Sequence, residues 1–221
     1  MTNKPRQSKR YTLSKLPIEW RERIFQSISS ARLKQAIAVI SSTGCRPSEL
    51  ERGVLVALKG ERLQFGIKGS KVNEEMGRGQ PLRMLIVDGS TSWGAYLSEC
   101  IMNNHGKPLL VKYDAGGISQ RLREKSRDLW PRRRSLISAY TYRHFIGKSL
   151  KESGADKELI ATVLGHATDY SQAVYGRAGG AKKGAGQHGI ERAIASNPIR
   201  HSAKTDKLSM LASRSCANAH S

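Results

Sequence analysis

A change of period in mid-chain limits the fold more than any other feature. Up to Leu50 the apolar residues fall at helical spacing: Trp20, Ile24 and Ile28 recur every four behind Pro17-Ile18-Glu19, and 31–41 forms a second amphipathic run. Thr43-Gly44 then turns the chain into Pro47-Ser48-Glu49-Leu50, whose proline and glutamate suit the first turn of a short helix after Arg46. From there the pattern shortens to alternating or apolar runs at 54–58, 62–67 and 82–87, broken by Lys59-Gly60, Gly69 and Gly77-Arg78-Gly79-Gln80-Pro81. Helical spacing returns over 93–102, 118–129, 139–152 and 157–164, the last behind Asp156 as N-cap. The pattern predicts a mixed α/β fold, predominantly helical with a small antiparallel sheet. The domain is expected over 13–177, between a basic arm at 1–12 and a basic, glycine-rich tail at 178–221.

Charge narrows the partner. With 38 Lys and Arg against 18 Asp and Glu, the chain carries a formal net charge of +20, which points to a polyanion and first to nucleic acid. A hydrophobic content of 38% still supports a core and excludes a wholly disordered basic protein. No stretch approaches the ~18 apolar residues of a membrane span, and the N-terminal segment lacks an apolar signal core, so a cytosolic or nucleoid location is expected, with no membrane. Cys45, Cys100 and Cys216 are far apart and without C-x-x-C spacing, which indicates neither a disulfide framework nor a zinc site. Gly147-Lys148-Ser149 lacks the earlier P-loop glycine, whose place Tyr142 takes, and neither an H-E-x-x-H nor a G-x-S-x-G motif occurs.

What remains is an ordered set of basic and hydroxyl residues. It runs through Thr43-Gly44-Cys45-Arg46-Pro47-Ser48-Glu49-Leu50, Ile67-Lys68-Gly69-Ser70-Lys71, Tyr140-Thr141-Tyr142-Arg143-His144 and Leu164-Gly165-His166 to Tyr175. Singly these are weak, since T-G-x-R is a common capping turn and L-G-H arises by chance. In this order the chain from about 31 to 177 resembles the catalytic domain of the tyrosine recombinases, the phage-integrase family, often carried by mobile genetic elements. That pattern is T-G-x-R-x-x-E-L, a hairpin lysine, H-x-x-R-H, L-G-H and a nucleophilic tyrosine.

The resemblance implies a site-specific recombinase or integrase that cuts and rejoins DNA strands through a 3′-phosphotyrosyl intermediate, with no metal, ATP or other cofactor. Transesterification at a phosphodiester builds negative charge on pentavalent phosphorus, which guanidinium forks match, the role implied for Arg46 and Arg143. A tyrosine hydroxyl, with an ordinary pKa of about 10, needs nearby cations or a base to become the nucleophile, the role implied for Tyr175. The departing 5′ oxygen needs a proton, a role the resemblance carries to Lys68 with Lys71 as nearest competitor. His166 would hydrogen-bond a non-bridging oxygen, and Glu49 would brace an active-site side chain.

Two departures stand out. Tyr140 occupies the first position of H-x-x-R; a phenol exchanges protons poorly near neutrality, so a general-base role is weakened while hydrogen bonding to phosphate is kept, and His144 is the nearby substitute. Only 45 residues precede Arg46, so the family's usual preceding helical domain is not expected, a layout similar to the short fimbrial-type invertases. Basic residues 4–15 and Arg132-Arg133-Arg134 are candidates for the phosphate contacts that domain would supply, as is Lys71.

The expected partners are double-stranded DNA, further copies of the chain (a tetramer on paired sites) and accessory DNA-bending proteins. Two rival functions stay open: a DNA-binding regulator without cleavage activity, and a type IB topoisomerase-like relaxer. The tail likewise has two readings, a short helix over 190–196 packed on a neighbouring protomer, or basic material binding DNA nonspecifically.

Overall fold

The structure, a computed structural model, describes residues 13–73, 77–170 and 188–202. The elements in chain order are α1 (Trp20–Gln26), α2 (Ala31–Thr43), α3 (Pro47–Arg52), β1 (Val54–Lys59), β2 (Arg62–Lys68), β3 (Leu82–Asp88), α4 (Ser92–Asn103), β4 (Leu109–Val111), α5 (Ala115–Leu129), α6 (Ala139–Glu152), α7 (Lys157–Val163) and β5 (Ile190–Ala195). The expected fold class is the observed one: helices packed around a small antiparallel sheet.

The five strands lie in the order β4-β1-β2-β3-β5, every neighbour antiparallel. Strand alternation sends Val54, Val56, Leu63, Phe65, Ile67, Leu85 and Val87 inward, all at most 2% exposed. The opposite face carries a cross-strand row of Leu110, Leu55, Gly66, Met84 and Ile194. Residues 36–43 of α2 are all buried, so the helix read as amphipathic is enclosed on every side over its second half. It runs through the middle of the helical layer against α1, α4 and α6.

Two strands exceed the sequence expectation. β4 has only three residues, too few to show a period. The stretch 190–196, left open between a short helix and basic material without regular structure, instead carries β5, pairing with β3 from Ile190 opposite Val87 to Ala195 opposite Arg83. A helix of that length between Gly189 and Asn197-Pro198 would close few hydrogen bonds, whereas β3 offers a full ladder. Beyond β5 the chain turns back: Arg200 donates its N–H to Ala167 O and accepts from Asp169 N–H, while Asp169 accepts from His201 and from Ser202 N–H.

Candidate active site

Two turns and a helix bring the motif residues together. In the first, Thr43 Oγ1 donates to Val39 O and accepts from Cys45 N–H, closing α2. Gly44 follows at φ +61°, and a Cβ there would stand 3.2 Å from the Arg143 Cα, so the position needs both a left-handed backbone and no side chain. The chain then straightens at Arg46, whose backbone N–H donates to Glu49 Oε2 at 2.8 Å in the first turn of α3. Arg46 Nη1 reaches Glu49 Oε1 at 2.6 Å, leaving the guanidinium only 12% exposed.

The second turn ends α7. Gly165 N–H donates to Thr162 O and His166 N–H to Ala161 O, with Gly165 at φ +61°, the glycine-ended cap that reverses a helix. This is why Leu-Gly-His throws its histidine back over the end of the helix. The third support is α6, on which Arg143 is 1% exposed and Tyr140, one turn earlier, is 40% exposed.

Arg143 joins the first two turns. Its Nη1 donates to Gly44 O at 3.1 Å, its Nη2 donates to Leu164 O, and the same nitrogen lies 3.4 Å from His166 Nε2. Arg143 thus stands behind the site, spanning the loop that delivers Arg46 and the loop that delivers His166. In front is a cleft of about 430 Å³ lined by Arg46, Lys71, Arg78, His166, Thr168 and Arg200.

Electrostatics follow from burial and from this crowd of cations. Burial pushes the Glu49 carboxyl up, but the Arg83, Arg46 and Arg143 guanidinium groups together outweigh it and hold the pKa at about 2. Burial lowers the His166 imidazole to about 3, reinforced by Arg143, Arg46 and Arg83 against the opposing Glu49, so it is neutral at physiological pH and able to donate a single hydrogen bond. Cys45, pushed up to about 11 by burial and by Glu49, is an inert thiol under the first turn.

Of the residues expected from sequence, the structure gathers Arg46, Glu49, Arg143 and His166, with Lys71 on the cleft wall. Lys68 is exposed at the end of β2, opposite Leu82, and does not line the cleft. The hairpin bearing both lysines is fastened to α3 by Ser48 Oγ donating to Ser70 Oγ at 2.8 Å and by Arg52 donating to Gly69 O at 2.6 Å. His144 is half-buried on α6 outside the cleft lining. Arg132, Arg133 and Arg134 sit on the α5–α6 connection, Arg133 donating to Lys15 O. Tyr175 and the basic arm at 1–12 lie outside the described residues.

Sequence reasoning passed over Arg78 and Arg200, which line the cleft, and Gln80, which donates to His166 O and accepts from Asn197 N–H. It also passed over Arg83, which pairs with Glu49 in full burial. One signal was available: Arg83 shares the inward register of Leu85 and Val87, and a buried cation requires an anion. Among the described residues no group of three or more His, Cys, Asp or Glu side chains could hold a metal, and no helix is long and apolar enough to cross a membrane.

By structure the chain is similar to XerA recombinase, with a TM-score of 0.52 and 19% identity, covering 72% of this chain and 58% of that one. The fold is that of the tyrosine recombinase catalytic domain. XerH site-specific recombinase bound to its difH substrate is similar too, with a TM-score of 0.51 in a pre-cleavage complex and 0.50 in a post-cleavage complex, at 19% identity in both. Those alignments cover 72% of this chain and 49% and 48% of XerH, so the chain spans roughly half the length of these recombinases. No family model and no curated protein matches the chain by sequence.

Proposed function

We propose that the chain is a tyrosine recombinase that transfers DNA strands at specific sites. The observation that supports this best is the meeting of Arg46, Arg143 and His166 around one cleft, joined through the Gly44 and Leu164 carbonyls. In this reading the Arg46 guanidinium and the His166 N–H face the non-bridging oxygens of a backbone phosphate, with Arg143 fixing the spacing between them. The Tyr175 phenol gives up its proton to solvent as its oxygen attacks phosphorus, and the bond to the 5′ oxygen breaks. That oxygen takes a proton, and the chain is left joined to a 3′ phosphate. Attack by a 5′ hydroxyl of a second strand reverses these steps, so the energy of the phosphodiester is retained. Tyr140, 40% exposed one turn ahead of Arg143, would hydrogen-bond phosphate in this reading. Lys71 is the hairpin amine on the cleft wall and Lys68 the one the family pattern selects, so either could protonate the leaving oxygen. Duplex DNA is the substrate, and pairing of two sites requires further copies of the chain.

The test is incubation of the full chain with a pool of nicked duplexes of randomised sequence, followed by denaturing electrophoresis. A covalent adduct is expected, lost on Tyr175→Phe; an adduct that survives that change, or none from the unaltered protein, overturns the reading. Binding without an adduct would point to a regulator, and relaxation of supercoils without site preference to a topoisomerase. A substrate with sulfur in place of the bridging 5′ oxygen needs no proton on departure, so it should rescue Lys68→Ala or Lys71→Ala, whichever removes the acid.

A further inference from the structure

Arg83 lies on β3 with Leu85 and Val87 in the row of side chains that faces the core, and both it and its partner Glu49 have fully buried side chains. A guanidinium there loses its hydration and must recover it from fixed acceptors. Each of its three nitrogens finds one: Nε donates to Val163 O at 3.0 Å, Nη1 to Glu49 Oε1 at 3.2 Å and Nη2 to Glu49 Oε2 at 2.8 Å. The same two carboxylate oxygens accept from Arg46, one from its side chain and one from its backbone N–H. Glu49 therefore receives four donors, two from each arginine. On its other side Arg83 presses against the turn that carries His166: a Cβ on Gly165 would stand 2.7 Å from Nη1 and 3.1 Å from Cζ.

Resting on the recombinase reading, we infer that Arg83 is a positioning residue of the strand-transfer site, holding Arg46 through Glu49 and the His166 turn through Val163 so that the two walls of the cleft keep one spacing. A lysine could satisfy the charge, but not a two-oxygen fork and a separate carbonyl at once. An apolar side chain would fill the space without the cost of desolvation, so the ion pair serves geometry here. Glu49 stays ionised because Arg83 faces it from β3, Arg46 from the start of α3 and Arg143 from α6. Cys45, from the turn before α3, and neutral His166, from the turn after α7, complete its titratable surroundings.

The experiment uses the full chain and inorganic sulfate, an oxyanion whose charge is constant between pH 5 and 8, with binding followed by calorimetry and the Glu49 carboxyl by carbon NMR. In the unaltered protein Glu49 should titrate near its value of about 2, with sulfate affinity flat across that range. In Arg83→Met the carboxyl should rise beyond the ordinary carboxylate range of about 4, and sulfate affinity should fall about tenfold at pH 5.5 but less at pH 8. Arg83→Lys should restore the flat profile without restoring full affinity. On a Glu49→Gln background, removing Arg83 should cost sulfate less than it does in the unaltered protein, because its route to Arg46 is already cut and only its hold on the His166 turn remains. Should Arg83→Met not fold, the lysine variant alone and combined with Glu49→Gln gives the same comparison. A flat profile with Glu49 unmoved in Arg83→Met, or additive losses in the double variant, overturns the inference. No readout involves strand cleavage, so a missing phosphotyrosyl adduct would sink the recombinase reading and leave the positioning of Arg46 to be judged on sulfate alone.

Discussion

Arg83 and Arg143 stand behind the cleft, 1% exposed, with named acceptors for their guanidinium groups, whereas Arg78, Arg200 and Lys71 line its open side in contact with solvent. Arg46 sits between, anchored to Glu49 yet present on the cleft wall. The difference separates two kinds of work that a count of positive charges would merge. The rear arginines are bound to their places before any ligand arrives and contribute through what they hold. The front cations are exposed, Arg200 donating to Gly77 O as well, and the energy they offer an anion is weakened by salt.

The sharpest way to break this comparison is Glu49→Ala. It strands one guanidinium in full burial and frees another, and should destabilise the fold by about 3–5 kcal/mol in urea unfolding. A loss as small as that of a surface pair would show that the rear cluster is not a buried unit. Gly165→Ala comes next: a left-handed backbone costs an L-residue about 1–2 kcal/mol before any crowding of Arg83 is added, and thermal unfolding should register it. Acid sharpens the contrast further. The His166 imidazole is held near 3 in the fold against about 6.5 in an unfolded chain, so the unfolded chain binds more protons between those values. Stability should therefore fall as pH drops from about 6.5 towards 3, with Glu49 adding its own loss from about 4 towards 2, and His166→Asn should flatten the upper part of that slope. The smallest effect on folding belongs to the front: Arg78→Ala and Arg200→Ala should each stay within about 0.5 kcal/mol of the unaltered stability. Each should still lower the salt slope of DNA binding by about 1, measured by titration at several salt concentrations.

The helices and three of the strands were legible because each ran long enough to show a period, and because Gly44, Pro47 and Asp156 punctuated them with known capping chemistry. β4 was too short to declare itself, and β5 carries helix-tolerant residues whose conformation is decided by a partner strand remote in sequence, Ala195 lying opposite Arg83. At the site, Arg46, Arg143 and His166 were readable as an ordered pattern, and Glu49 as the brace of an arginine. Arg78 and Arg200 were not, since an exposed arginine in a glycine-rich hairpin or a tail looks like any solvated charge until the fold sets it on a cleft wall. Lys68 and Lys71 show the same limit: three residues apart in sequence, they differ in whether they face the cleft, and hairpin geometry decides that.

The ladder between β3 and β5 sets a lower bound on how far this molecule can be trimmed. Ending the chain after the last motif residue would strip β3 of its outer partner and leave the strand that carries Arg83 as an open edge, ready to recruit the same strand from another copy. A shortened version kept for its motifs alone should clump for that reason, while one that runs through Ser202 retains the strand that caps the sheet.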